Sequence, residues 1–382
     1  MERLLRLEGL RGVAALIVVL HHFVVVFYAA VYWGIPQAAY APLVAWFYAL
    51  PFGFLVNGNF AVQIFFVLSG FVLCASQYLT PRPITLGTYV QRYLRLMLPV
   101  LASVFLAWGL LKLGLVYFYQ TLPLTGGSPW VGQYWNLVPR FSEALSQGAV
   151  SVFFLRQQSW YSPVLWTMGY FWLGSVMLLS FLRLFRSYRW RRLLACALVI
   201  LFVRSNFFGF WVGALLADLY CQRALWQGWA RRASPWIFFP ALLVVVLLGS
   251  YPSTASPLAP LYLALVPPGF TFFTAVTFYH TIAASVLLLV VLIGERSWYA
   301  RWLAGVAPLG SISYALYLLH ALVIASVGGW VFLALAPTYS YYVATFAALI
   351  ATMVVLIPVS YVYYRFIDQP AGRLDELLHQ GT

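Results

Sequence analysis

EGLRGVAALIVVLHHF, residues 8–23, decides how the rest of the chain reads. A charged cluster opens the stretch, nine residues without a charge follow Arg11, and two histidines stand side by side at positions 21 and 22. On an α-helix the eleven residues from Arg11 to His22 turn through about 1,100° and rise roughly 16 Å, so both side chains share one face. His21 points about 100° away from that face. With Arg11 at a membrane surface, His22 falls near mid-bilayer. An ionisable side chain at that depth is expensive unless it faces a cavity or a partner. A structural hydrogen bond to a neighbouring helix accounts for one histidine as well as a function does. The arginine on the same face favours the function.

The composition supports the membrane reading. The 382 residues are 64% hydrophobic and only 8% charged, with a mean hydropathy of +0.89. That excludes a soluble domain, and several segments reach the ~20 apolar residues that a bilayer span needs. Lys and Arg number 22 against 8 Asp and Glu. A nucleic-acid partner does not follow from this excess, because the arginines sit at the ends of apolar spans and form no separate basic domain. Cys74, Cys196 and Cys221 lie in or beside predicted spans without metal-ligand spacing, so they read as small core hydrophobes and no metal is expected. The first apolar segment lacks a small-residue cleavage site and reads as a span, not as a signal peptide.

The chain divides into about ten predicted spans: 10–30, 60–79, 96–118, 163–183, 190–203, 205–222, 235–250, 271–293, 309–335 and 340–364. The fifth is short, and its border with the sixth is the least defined. Placing the N-terminus in the cytoplasm puts 18 arginines inside, leaves Arg140, Arg156 and Arg204 outside, and leaves Lys112 within the third span. This is a strong positive-inside pattern over short loops, and it puts both termini in the cytoplasm. The expectation is therefore an all-α integral membrane protein, one bundle of about ten transmembrane helices forming a single domain over 1–382, in a plasma, inner or endomembrane. Three longer connections, 31–59, 119–162 and 251–269, fall on the other side. Their aromatics either line an acceptor site or form an interfacial belt, and the belt is the simpler reading. There is no internal repeat, which removes support for an inverted-repeat transporter.

Six stretches carry a resemblance. LEGLRGVAALIVVLHHF (7–23) resembles the first-helix signature of the acyltransferase-3 family of multipass membrane O-acyltransferases, whose hallmark is an Arg, ten residues and a His: here Arg11 and His22. Glu8 stands where the family usually has Asp. NFAVQIFFVLSGFVL (59–73) and YVQRYLRLMLP (89–99) resemble the second-helix signature and the arginine-rich entry to the third. FFGFWVGALLADL (207–219), SISYALYLLHALV (311–323) and YRFIDQPAGRL (364–374) resemble later blocks, in family order. The likeness covers nearly the whole chain and is closest to the shorter fungal-type members that lack an appended soluble domain.

The resemblance implies transfer of an acyl group, acetyl in the typical case, from acyl-CoA on the cytoplasmic side to a hydroxyl of a sugar or other small acceptor. It casts Arg11, Arg92 and Arg95 as ligands of the CoA phosphates, a role that arginine forks suit. Plain positive-inside anchoring explains Arg92 and Arg95 equally well one at a time, and less well as a pair. His22, at the thioester, would act as general base on the acceptor hydroxyl.

One position departs from the pattern. LWTMGYFWLGS (165–175) matches the family's middle block at its flanks, but Phe171 stands where that block carries a glutamate. Phenylalanine can neither orient a histidine nor share its proton. A catalytically silent member of the fold and an enzyme that works with histidine alone both remain open, and a secondary transporter is the reading from another class. His280 in TFYHTIAAS and His320 in YALYLLH are further intramembrane histidines. Each is either cavity-lining or a satisfied structural group, and Tyr314 joins them as a possible lining residue. Ser69 and Gly70 read as close helix packing. Asn57 and Asn59 read as loop caps before acceptor contacts.

Overall fold

The computed structural model describes residues 2–33, 53–126, 133–222, 235–253, 260–294 and 297–372. Every regular element among them is helical. Arg223, Arg231, Arg232, Glu295, Arg296 and Arg373 lie outside the described residues, as do most of the 31–59 connection and parts of the 119–162 and 251–269 connections.

The ten longest helices are α1 (Glu2–Phe27), α2 (Gly58–Leu79), α3 (Leu86–Lys112), α4 (Trp166–Phe185), α5 (Arg191–Leu201), α6 (Phe207–Cys221), α7 (Pro235–Gly249), α8 (Phe272–Ile293), α9 (Ser313–Leu335) and α10 (Tyr341–Gly372). Seven of them, α1 to α4 and α8 to α10, are long and apolar enough to cross a membrane. The remaining three, at the predicted spans 190–203, 205–222 and 235–250, have 11, 15 and 15 residues. α3 begins ten residues before its predicted span, so Arg92 and Arg95 sit within the helix and not in front of it.

Helix starts follow from local chemistry. Asn57 caps α2, its Oδ1 accepting from the Phe60 amide at 3.2 Å. Thr271 caps α8 in a reciprocal box with Thr274, and Ser340 caps α10. Each cap satisfies an amide that the helix itself cannot. The faces follow from solvent. On α10 the exposed large side chains include Val343, Phe346, Ile350, Val354, Ile357 and Tyr361, at intervals of three and four, with Tyr342, Val359, Val362 and Phe366 beside them. Its enclosed face carries Ala344, Ala348, Thr352, Leu356 and Ser360. Small and polar inside with bulky apolar outside inverts the pattern of a helix in water and suits one surrounded by lipid.

The chain forms two compact units. The first comprises Met1–Val18, Trp33–Tyr89 and Leu173–Gly310. Its centre is α2 against α6, where a Cβ at Gly70 would collide with the Phe210 carbonyl and one at Gly213 with the Val67 carbonyl. Only glycine allows the two backbones to approach this closely. α8 packs on α2 and α7 packs on α8. Arg6, buried near the start of α1, donates from Nη1 to the Val291 carbonyl of α8 at 3.2 Å. At the start of α5, Arg191 and Arg192 both grip Asp218 of α6, with N–O distances of 2.7–2.8 Å.

The second unit comprises Val19–Tyr32, Val90–Trp172 and Ser311–Thr382. Here α9 packs on α10. A π-helical turn, Ile324–Gly328, interrupts α9, and the Ala325 carbonyl within it accepts from the Tyr117 amide at 2.9 Å. Such turns change the backbone register and make groups available to neighbours. α3 joins this unit through two tyrosines. Tyr363 donates to the carbonyl of Pro99, and Tyr314 donates to that of Leu96 at 2.9 Å.

Candidate active site

The second unit brings together two of the three intramembrane histidines singled out from the sequence. His22, from α1, and His320, from α9, are hydrogen-bonded between Nδ1 of the former and Nε2 of the latter at 3.1 Å. Their ring centroids are 4.8 Å apart. Both are buried, His320 completely. His320 is fixed on its other side: its Nδ1 lies 3.0 Å from the Leu316 carbonyl, one turn earlier in α9. His21 stands edge-on to the His22 ring at 4.9 Å and to Tyr32 at 5.1 Å, so the adjacent histidine takes a different direction, as helical rotation requires.

The wall behind His320 is firm. The Tyr317 ring lies 6.0 Å from its ring. The Tyr317 hydroxyl reaches the Val164 carbonyl at 3.0 Å and the Thr167 hydroxyl at 2.8 Å. Tyr317 was not among the candidates read from the sequence. Its place three residues before His320 is a usable signal, since i and i+3 are neighbours on a helix surface. Tyr314 binds elsewhere, touching the Met168 sulfur at 3.6 Å in addition to the Leu96 carbonyl. It joins α9 to α3 and α4.

Phe171 is half-buried on α4. The partner of the His22 ring at Nδ1 is the imidazole of His320. Glu143, the acid of the Phe141–Ser146 helix in this unit, accepts from Gln147 at 3.0 Å. Arg92 is half-buried and Arg95 exposed on α3.

The first unit holds the remaining candidates. Arg11 and Glu8 form an ion pair at 2.9 Å with side chains 40% and 36% exposed. A pair this open contributes at most about 1 kcal/mol, so an anionic ligand can displace Glu8 at little cost. α1 runs without interruption from this pair to His22. His280 is fully buried on α8. Its Nε2 lies 2.9 Å from the Tyr251 carbonyl, an oxygen that also accepts from Asn57 Nδ2 at 2.8 Å. The Oδ1 of Asn57 accepts from Ser253 at 3.2 Å as well as capping α2. Burial pushes the Tyr251 phenol up to about 12, so it stays protonated and donates to the Tyr262 carbonyl at 2.8 Å. Asn57 therefore caps its helix and knits the connection around residues 251–253 to α8. Among the described residues no group of three or more His, Cys, Asp or Glu is placed to hold a metal.

His22 and His320 thus form a buried imidazole pair in a chain with seven helices, among the described residues, long and apolar enough to cross a membrane. A family model described as an acyltransferase domain, that of the acyltransferase-3 family, matches residues 4–365, and the chain belongs to this family. It is an integral, multi-pass membrane protein with an acyltransferase domain that covers nearly its whole length. No curated protein and no solved structure matches it.

Proposed function

We propose that this protein moves an acyl group, acetyl in the first instance, from acyl-CoA at the cytoplasmic side to a hydroxyl of a sugar or small-molecule acceptor. The observation that carries the proposal is the buried His22–His320 pair in a chain of this family. His22 is the general base. It takes the proton of the acceptor hydroxyl as the oxygen attacks the thioester carbonyl, and it returns that proton to the departing CoA thiolate.

The anionic donor needs cations. Arg92 and Arg95, three residues apart on α3, are proposed as phosphate ligands, and so is Arg11, on the helix that carries His22. Eleven residues of helix span about 16 Å, a length that a pantetheine arm can cover. Glu8 serves as the resident partner of Arg11 until a phosphate replaces it.

Phe171 supports a second reading, in which the fold is kept and the chemistry lost. Against that reading stands His320, which gives the His22 ring the orienting partner that a phenylalanine cannot supply. The two are separated by incubating the purified protein in lipid nanodiscs with acetyl-CoA and following free CoA, with and without a panel of sugar and alcohol acceptors. Acceptor-dependent release is the expected result. No release with any acceptor, from a protein that binds acetyl-CoA, favours the silent member. Phe171→Glu discriminates further. If the missing acid limits turnover, that variant gains about 10²-fold, the size of a typical general acid–base contribution; unchanged turnover assigns the orienting role elsewhere.

A further inference from the structure

We infer that His320 is the positioning residue that holds His22 in a single tautomer, Nδ1 protonated and Nε2 bare, which makes Nε2 the atom that accepts the acceptor's proton. The inference rests on the proposed transferase reading and deepens it.

The carbonyl oxygen of Leu316 can only accept. His320 Nδ1 lies 3.0 Å from it, so Nδ1 carries a hydrogen. A neutral imidazole has one N–H, which leaves Nε2 of His320 with a lone pair. That lone pair meets His22 Nδ1 at 3.1 Å, and a hydrogen bond there requires His22 Nδ1 to be the donor. The lone pair of His22 is then on Nε2. Two neutral rings in series thus transmit the acceptor-only character of one helix carbonyl to the far atom of the second ring.

The device is held from both ends. The bond to Leu316 spans one turn of α9, so it is as rigid as the helix. The ring of Tyr317, anchored by its hydroxyl to Val164 and Thr167, backs His320. An aspartate or glutamate behind a catalytic histidine fixes the same tautomer and adds a negative charge. His320 supplies the orientation without the charge.

In the reaction the acceptor O–H bond breaks and its proton joins His22 Nε2. The oxygen bonds to the thioester carbon, and the C–S bond then breaks. The proton leaves Nε2 for the thiolate, so both histidines finish neutral. While His22 is an imidazolium, its Nδ1–H still donates to His320, and the ring does not turn away from the leaving group.

The test uses the full-length protein in nanodiscs with 15N-labelled histidine. The wild-type spectrum should show His22, assigned by its absence in His22→Ala, as the neutral ring with Nδ1 protonated and Nε2 bare. A protonated Nε2 on neutral His22 overturns the inference whatever the activity. Two variants follow the relay. His320→Gln keeps an acceptor oxygen for His22 Nδ1, whereas His320→Phe keeps the bulk and removes the acceptor. We expect His320→Phe to lose at least about 10²-fold in kcat, the lower end of a general acid–base contribution, with KM for acetyl-CoA within about twofold and a mixed tautomer in the spectrum. His320→Gln should recover at least tenfold of that loss. Wild-type kcat and a wild-type His22 tautomer in His320→Phe overturn the inference, as does equal loss in both variants with the His22 tautomer unchanged. Should His320→Phe fail to fold, the wild-type spectrum and His320→Gln still decide. Retained turnover in His22→Ala defeats the base assignment instead, a result distinct from each of these.

Discussion

At the scale of single residues, side chains with a structural partner separate from those poised for chemistry. Tyr314 and Asn57, both open to a site role from sequence, turn out to hold backbone: Tyr314 the Leu96 carbonyl, Asn57 the start of α2 and the Tyr251 carbonyl. His22 and His320 hold each other. Arg95 is exposed on a helix rich in apolar residues, as an anion ligand must be before its ligand arrives. Replacing it by alanine is expected to weaken acyl-CoA binding about tenfold at low salt, one charge-assisted contact in size. The difference should narrow as salt screens the guanidinium. Titration of purified protein checks this, and equal affinity for variant and parent would remove Arg95 from the phosphate site. Much of this scale was legible. The spacing of Arg11 and His22 on one helix needs only the helical repeat. The contact between His22 and His320 was not legible, because 298 residues separate them and a single sequence has no pattern linking two helices at that distance.

At the scale of elements, hydropathy found the seven long helices because their apolar runs exceed what a soluble helix carries. It misplaced the start of α3. Arg92 and Arg95 read as the edge of a span, yet arginine is a good helix former and its long stem lies along apolar surface, so the helix runs through both. It also placed α5 to α7, which are shorter than the other seven at 11, 15 and 15 residues. The segment between α5 and α6 contains Phe202 and Val203, apolar enough to be counted into a span, but it turns around Arg204 and Ser205. The close approach of α2 and α6 makes a sharp prediction. Gly70→Leu drives a side chain into the Phe210 carbonyl and forces α2 and α6 apart. The expected loss is about 1–3 kcal/mol, the usual range for overpacking. A thermal melt of the purified variant followed by tryptophan fluorescence reads it, and an unchanged midpoint would mean that the two helices are not in register here.

At the scale of the whole molecule, the charge distribution and the family membership point the same way. Positive residues cluster at alternate ends of the apolar spans, the pattern expected of a multi-pass membrane protein, and the family is one of acyltransferases. On the function proposed above, His22 is where a donor from one side meets the acceptor hydroxyl. Phe171 is the position that speaks for the silent reading, and the proposal sets against it the imidazole hydrogen-bonded to His22. The most direct measurement is single-turnover transfer of labelled acetyl from acetyl-CoA to acceptor by the protein reconstituted in proteoliposomes, compared with the His22→Ala variant at matched acetyl-CoA occupancy. The predicted result is transfer by the parent and a fall of at least 10²-fold in the variant, the general-base share of the rate, with binding intact. Equal transfer by the two proteins would contradict it.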